Sequence, residues 1–199
     1  MKIILPPSIR LTLILAVTAS TMLFTSSACG SATPGSGVDT SATVAPTDMI
    51  SSIFSPDDGK MTGAAPVFSG QTYSHGTFDL SQLTGKPVLI NFWFPSCPPC
   101  AAELPDLQAA YEKYKDRVAF VAVQQTGIDS PDAGKQFFTQ LGVTIPAFPD
   151  SNSKVQVAYR VLSYPTTVFL DKDHNIVRKW TGLITAENLE KHLQAIAKG

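Results

Sequence analysis

An α/β domain, with a central mixed β-sheet flanked by helices, is predicted for residues 65–199, and three observations predict it. Two runs that are apolar on both faces, Val88–Phe94 and Val118–Val123, read as buried central strands. Between them Leu104, Leu107, Tyr111 and Tyr114 recur at helical spacing, which makes a βαβ unit with parallel strands and a right-handed crossover. Further on, Thr166–Leu170 and Asn175–Thr181 flank Asp171-Lys172-Asp173-His174, as the arms of a hairpin flank their turn.

Taken in order, the chain opens with an export signal over residues 1–28. Lys2 and Arg10 supply a positive start, and Leu11–Phe24 is uncharged and mostly apolar. That stretch is shorter than the roughly 20 residues of a spanning helix, which argues against an uncleaved anchor. Thr25-Ser26-Ser27-Ala28 is small and polar, as a cleavage site requires. Residues 30–47 are almost entirely Gly, Ser, Thr, Ala and Pro, a composition that cannot bury enough apolar surface to fold and serves as a flexible linker. Residues 48–64 carry Met49, Ile50, Ile53 and Phe54 at helical spacing, interrupted by Ser and Pro, and read as linker or a short docking element.

From Ala65 onward strands and helices alternate. The first helix is expected from Pro98 to about Lys115, with a kink at Pro105. An inserted helix over Asp132–Leu141 turns Phe137, Phe138 and Leu141 inward. The last helix, Ala186–Ala197, is capped by Thr185 and buried through Leu189, Leu193 and Ile196. No internal repeat is visible.

Charge narrows the function. The chain has 15 basic and 16 acidic side chains, and loss of Lys2 and Arg10 with a leader leaves it more acidic still. It lacks the basic footprint of a nucleic-acid binder and any surface suggestive of anionic lipid.

The three cysteines, Cys29, Cys97 and Cys100, carry the chemistry. Cys97 follows a buried strand and opens a helix, where unpaired N–H groups and the positive end of the macrodipole stabilise a thiolate. It is the expected nucleophile, with a depressed pKa. Cys100 sits one turn deeper on the same face and can attack a mixed disulfide at Cys97. Pro98 suits the first helical position, and Pro98-Pro99 stiffens the loop. A C-x-x-C pair can also be half of a zinc site, but zinc wants four ligands, and His75, His174 and His192 are scattered without ligand spacing. A structural staple is a poor alternative, because so short a loop closes almost no chain entropy. No metal and no cofactor is expected.

Asn91-Phe92-Trp93-Phe94-Pro95-Ser96-Cys97-Pro98-Pro99-Cys100-Ala101-Ala102-Glu103-Leu104-Pro105 resembles the active-site segment of the TlpA/ResA-like family of thioredoxin-fold thiol–disulfide oxidoreductases. The likeness continues in matching order over about 65–198. Ala65-Pro66-Val67-Phe68 resembles the family's opening strand, an N-terminal extension of the thioredoxin fold. Leu80–Lys86 resembles the lead into the central strand, and Thr181-Gly182-Leu183-Ile184 the approach to the last helix. Ser163-Tyr164-Pro165-Thr166-Thr167 resembles the family's cis-proline strand. The resemblance implies a cis Tyr164-Pro165 bond beside the sulfurs. Tyr164 would pair through its backbone with a substrate strand, and Pro165 would keep metal and stray thiols away. It also implies that Glu103, one turn beyond Cys100, shuttles a proton or holds the thiol pKa up; the alternative is a solvated helix acid. Thioredoxin has a buried Asp where this chain has Asn91, so Asn91 is assigned no acid–base work. Ser96 stands where the family usually has Trp.

Ser26-Ser27-Ala28-Cys29-Gly30 resembles the lipobox of bacterial lipoproteins, with Ser26 where an aliphatic residue is usual. It implies a lipidated Cys29 and a domain anchored to the outer face of the bacterial cytoplasmic membrane; the alternative is a secreted protein cut near Ala28. The family reading makes the chain a reductant of client proteins with cysteine pairs, for instance cytochrome c apoproteins, served by a membrane electron donor or acceptor for thiols. A disulfide-donating oxidase is the alternative. A peroxiredoxin-like peroxidase needs Thr or Ser where Phe94 stands, and a copper-delivery module needs wider Cys spacing and a partner His.

Overall fold

Strand Val88–Trp93 is buried at every position, because it is central in the sheet and covered on both faces. The computed structural model describes residues 63–198, so the expected export signal, Cys29 and the expected linker lie outside the described residues. The elements are β1 (Gly63–Ala64), β2 (Ser69–Gln71), β3 (Thr77–Asp79), a 3-10 turn (Leu80–Leu83), β4 (Val88–Trp93) and α1 (Pro98–Tyr114). They continue with β5 (Ala119–Gln125), α2 (Pro131–Leu141), β6 (Ala147–Asp150), α3 (Lys154–Ala158), β7 (Thr166–Leu170), β8 (Asn175–Thr181) and α4 (Ala186–Ala197).

Six strands form one sheet in the order β1-β8-β7-β4-β5-β6, and β2 and β3 form a separate antiparallel pair. β4 runs parallel to β5 and antiparallel to β7, which makes the sheet mixed. Alternation along β4 separates two cores. Leu89 and Trp93 face α1, α2 and α4, with Leu104, Leu107, Phe138, Leu189 and Leu193. Val88, Ile90 and Phe92 face the other way, toward Phe78, Leu80, Val155 and Tyr159. Asn91 therefore shares the α1 side of the sheet with Leu89 and Trp93.

Helix ends follow the sequence. Ser130 accepts a hydrogen bond from Ala133 N at the start of α2, Pro131 takes the first turn, and Gly142 closes the helix at φ 65°. Thr185 caps α4 through Asn188 N. In the β7–β8 turn the Asp171 carboxylate accepts from Asp173 N and Asn175 N.

Two expectations need correction. Ala65–Phe68 is not a strand: Pro66 has no N–H for a ladder, and the strands β1 and β2 flank the segment. Its apolar side chains pack instead, with Ala65 in the core and Phe68 stacked on Phe78 at 5.5 Å. Leu141 is 47% exposed, because the inward face of α2 is completed by Phe138, whose ring stacks on Trp93 at 4.4 Å. α1 runs as α-helix from Pro98 through Pro105 to Tyr114.

Candidate active site

β4 ends at Trp93, and the turn Phe94-Pro95-Ser96 delivers Cys97 to the start of α1. Cys97 N donates to Phe94 O, and Cys97 takes an extended backbone as the helix N-cap, with Pro98 in the first turn. Its sulfur accepts from Cys100 N at 3.2 Å, a donor placed where a thiolate would need one. Cys97 and Cys100 are joined as a disulfide, with Cα atoms 5.3 Å apart, and both residues are buried. Pro98 and Pro99 are exposed on the outer side of the pair.

Glu103 lies one turn beyond Cys100 on α1 and is only 1% exposed. The alternative of a solvated helix acid does not fit that burial. Its Oε1 accepts from Asn91 Nδ2 at 2.8 Å and its Oε2 from Ile184 N at 3.0 Å. Asn91 Nδ2 also donates to Thr167 Oγ1 at 3.1 Å, which leaves Asn91 Oδ1 buried without a hydrogen-bond partner. Burial pushes the Glu103 carboxyl up to about 7, against the lowering pull of the hydrogen bonds from Ile184 N and Asn91; the Asp106 charge adds a smaller upward push. Asn91 was assigned no acid–base work by its residue type; the structure makes it the partner that holds Glu103. That role is invisible in a sequence where 12 positions separate the two.

The Tyr164–Pro165 peptide is cis. Pro165 is buried, and its carbonyl accepts from Gly182 N. Tyr164 meets Phe94 edge-on at 5.2 Å, and both rings pack against the core cluster that contains Cys97 and Cys100. The cis-proline loop, the strand end and the disulfide thus meet at one pole of the sheet. Burial raises the Tyr164 hydroxyl to about 12, helped by the Asp150 carboxylate. Cys29 lies outside the described residues.

One contact at this pole has no signal in the sequence. Asp129, in the β5–α2 loop, accepts through Oδ2 from Ser96 N at 2.9 Å and from Ser96 Oγ at 2.7 Å. Ser96 stands out in the sequence as the residue before the nucleophile, but its partner lies 33 positions away.

A C-x-x-C disulfide at a helix N-terminus, a cis-proline loop and a mixed sheet define the class: a thiol–disulfide oxidoreductase on a thioredoxin-like fold. Comparison with known proteins agrees. Residues 61–179 match the model of the AhpC/TSA family. The thiol-disulfide oxidoreductase ResA of Oceanobacillus iheyensis is 35% identical over 149 residues, spanning 71% of this chain and 77% of that protein. Among solved structures, StoA from Bacillus subtilis is 26% identical, covers 64% of this chain and 96% of its own, and superposes with a TM-score of 0.59. The exposed lipoprotein thioredoxin of Streptococcus pneumoniae is 27% identical, covers 65% of this chain and 99% of its own, with a TM-score of 0.60. The chain belongs to the AhpC/TSA family, among its ResA-like thiol–disulfide oxidoreductases.

Proposed function

We propose that the protein is an extracytoplasmic reductant of client disulfides, held at the membrane through Cys29. The observation that carries the direction of electron flow is the buried Glu103 carboxyl, held by Asn91 and Ile184 one turn from Cys100. Negative charge there opposes thiolate formation and destabilises the reduced form, which lowers the potential.

In the reaction the Cys97 thiolate attacks one sulfur of a client disulfide. The client S–S bond breaks, a mixed disulfide forms, and the leaving client thiolate takes up a proton. Cys100 then loses its proton, and its thiolate attacks the Cys97 sulfur and expels the second client thiolate, which is protonated in turn. Two electrons have passed to the client, whose two thiolates take up two protons, one released when Cys97 ionised and one from Cys100, and the enzyme is left as the Cys97–Cys100 disulfide. Glu103, with a pKa of about 7, is suited to accept the Cys100 proton near neutral pH. Tyr164 and Pro165 form the wall against which the client strand lies. Return to the dithiol requires a membrane-side dithiol donor. Cytochrome c apoproteins before haem attachment are the client class to assay first.

The export signal and lipobox-like Ser26–Gly30 segment support the location, as does likeness to a structure described as an exposed lipoprotein. Equilibration against a dithiothreitol series measures the potential. A value near about −270 mV is expected; one above roughly −180 mV would place the protein with disulfide donors and overturn the reductant reading.

A further inference from the structure

The β5–α2 loop is built onto the active-site turn rather than draped over it. Gln124 is fully buried at the end of β5, level with Trp93 across the β4–β5 ladder, and its Nε2 donates to Ser130 O at 2.9 Å and Asp129 O at 3.3 Å. Gln125 Oε1 accepts from Gly127 N and Ile128 N at 2.6 and 3.1 Å, and Ser130 caps α2. The backbone around Asp129 is thereby pinned on both sides by side chains from β5. From that platform a single carboxylate oxygen takes both donors of Ser96, the residue bonded to Cys97.

We propose that Asp129 is a positioning residue for Cys97. Its two hydrogen bonds fix the turn that sets the sulfur at the N-cap of α1, and its negative charge opposes the positive end of the helix at that sulfur. The helix terminus and Cys100 N favour the Cys97 thiolate; a carboxylate hydrogen-bonded to the residue before it disfavours it. The net effect is a less stabilised reduced form and a lower potential than the helix alone would set. The other acidic groups near the pole are differently engaged. Glu103 is buried against Asn91 and Ile184 with Asp106 on the same helix, Asp150 accepts from Gln156 N, and Asp132 sits in the first turn of α2. Asp129 is the one that receives Ser96.

The proposal rests on thiol–disulfide exchange alone and holds whichever way electrons flow. A high potential in the unmodified protein would sink the reductant reading and leave this one standing. Asp129→Asn is the decisive variant, because an amide oxygen still accepts from Ser96 while the charge is gone. The full chain is equilibrated against dithiothreitol, and Cys97 alkylation by iodoacetamide is followed over pH. Asp129→Asn is expected to shift the equilibrium toward the dithiol by about threefold to tenfold, where tenfold corresponds to about 30 mV. The alkylation midpoint should move to lower pH. Ser96→Ala deletes one hydrogen bond and keeps the charge, so it should move the potential less. An Asp129→Asn protein with an unchanged potential and alkylation midpoint overturns the proposal, as does a larger shift in Ser96→Ala than in Asp129→Asn.

Discussion

Glu103 is the residue whose environment departs furthest from what its side chain would choose. A carboxyl normally near 4.5 is held at about 7 by burial. Its folded pKa lies above its unfolded one, so the folded state binds more protons between those values. The stability this confers is complete below about pH 4.5 and is lost as pH rises through about 7, on the order of 3 kcal/mol at most. The difference in unfolding free energy between wild type and Glu103→Gln, both with the disulfide intact, should fall across that window and stay flat above it. A flat difference throughout would mean that Glu103 is ionised normally. Glutamine is accommodated because Asn91 can turn its amide and offer the unpartnered Oδ1 to the new N–H₂ group. The two thiols should also separate chemically. Cys100→Ser is expected to trap client mixed disulfides through Cys97, and Cys97 should alkylate before Cys100; the reverse order in mass-spectrometric peptide mapping would exchange their roles.

At the scale of elements, α2 and β5 meet through Gly134. A Cβ there would lie 2.1 Å from Gln124 Oε1 and 2.7 Å from Tyr73 Oη, and those two side chains hydrogen-bond each other. Ala is the better helix former by about 1 kcal/mol, so propensity alone predicts that Gly134→Ala stabilises. The packing predicts the opposite sign, a loss of about 1–3 kcal/mol, read as a lower urea midpoint. A higher midpoint would show that Gln124 moves aside freely. The same contrast explains which elements were legible in the sequence. β4, α1, the β7–β8 hairpin and α4 carry their period in their own residues, so burial could be inferred position by position. β2, β3, β6 and α3 do not. Gly70 of β2 sits on the ring of Phe148 in β6, a contact that requires a glycine and is made by residues far apart in the chain. α3 has five residues, starts after Ser153 at φ 53° without a side-chain cap, and is held by burial of Val155 and by Gln156 N on Asp150. Elements this short are stabilised by their neighbours, and a local pattern has nothing to report. In the site, Cys97 and Cys100 follow from their place at a helix start and Glu103 was implied by the family resemblance, whereas the Ile184, Thr167 and Asp129 contacts come from other elements.

For the whole molecule, the open expectation is attachment. Cys29 lipidation predicts that the full-length protein enters the detergent phase on Triton X-114 partitioning and that Cys29→Ala moves it to the aqueous phase. Unchanged partitioning would remove the lipoprotein reading. Among the described residues no helix is long and apolar enough to cross a membrane, so the folded domain contributes no helical span of its own.

The short strand β1 bears on how such an attachment would present the enzyme. Gly63 pairs with Ile176, which lies across from Leu170, which in turn lies across from Val88 at the start of β4. Cys97 follows the other end of that strand, five residue steps or roughly 16 Å along it. The chain therefore enters the domain at the floor of the sheet, while the sulfurs open at its roof. Were the protein held by its leading segment, the point of suspension and the sulfurs would belong to opposite ends of this sheet.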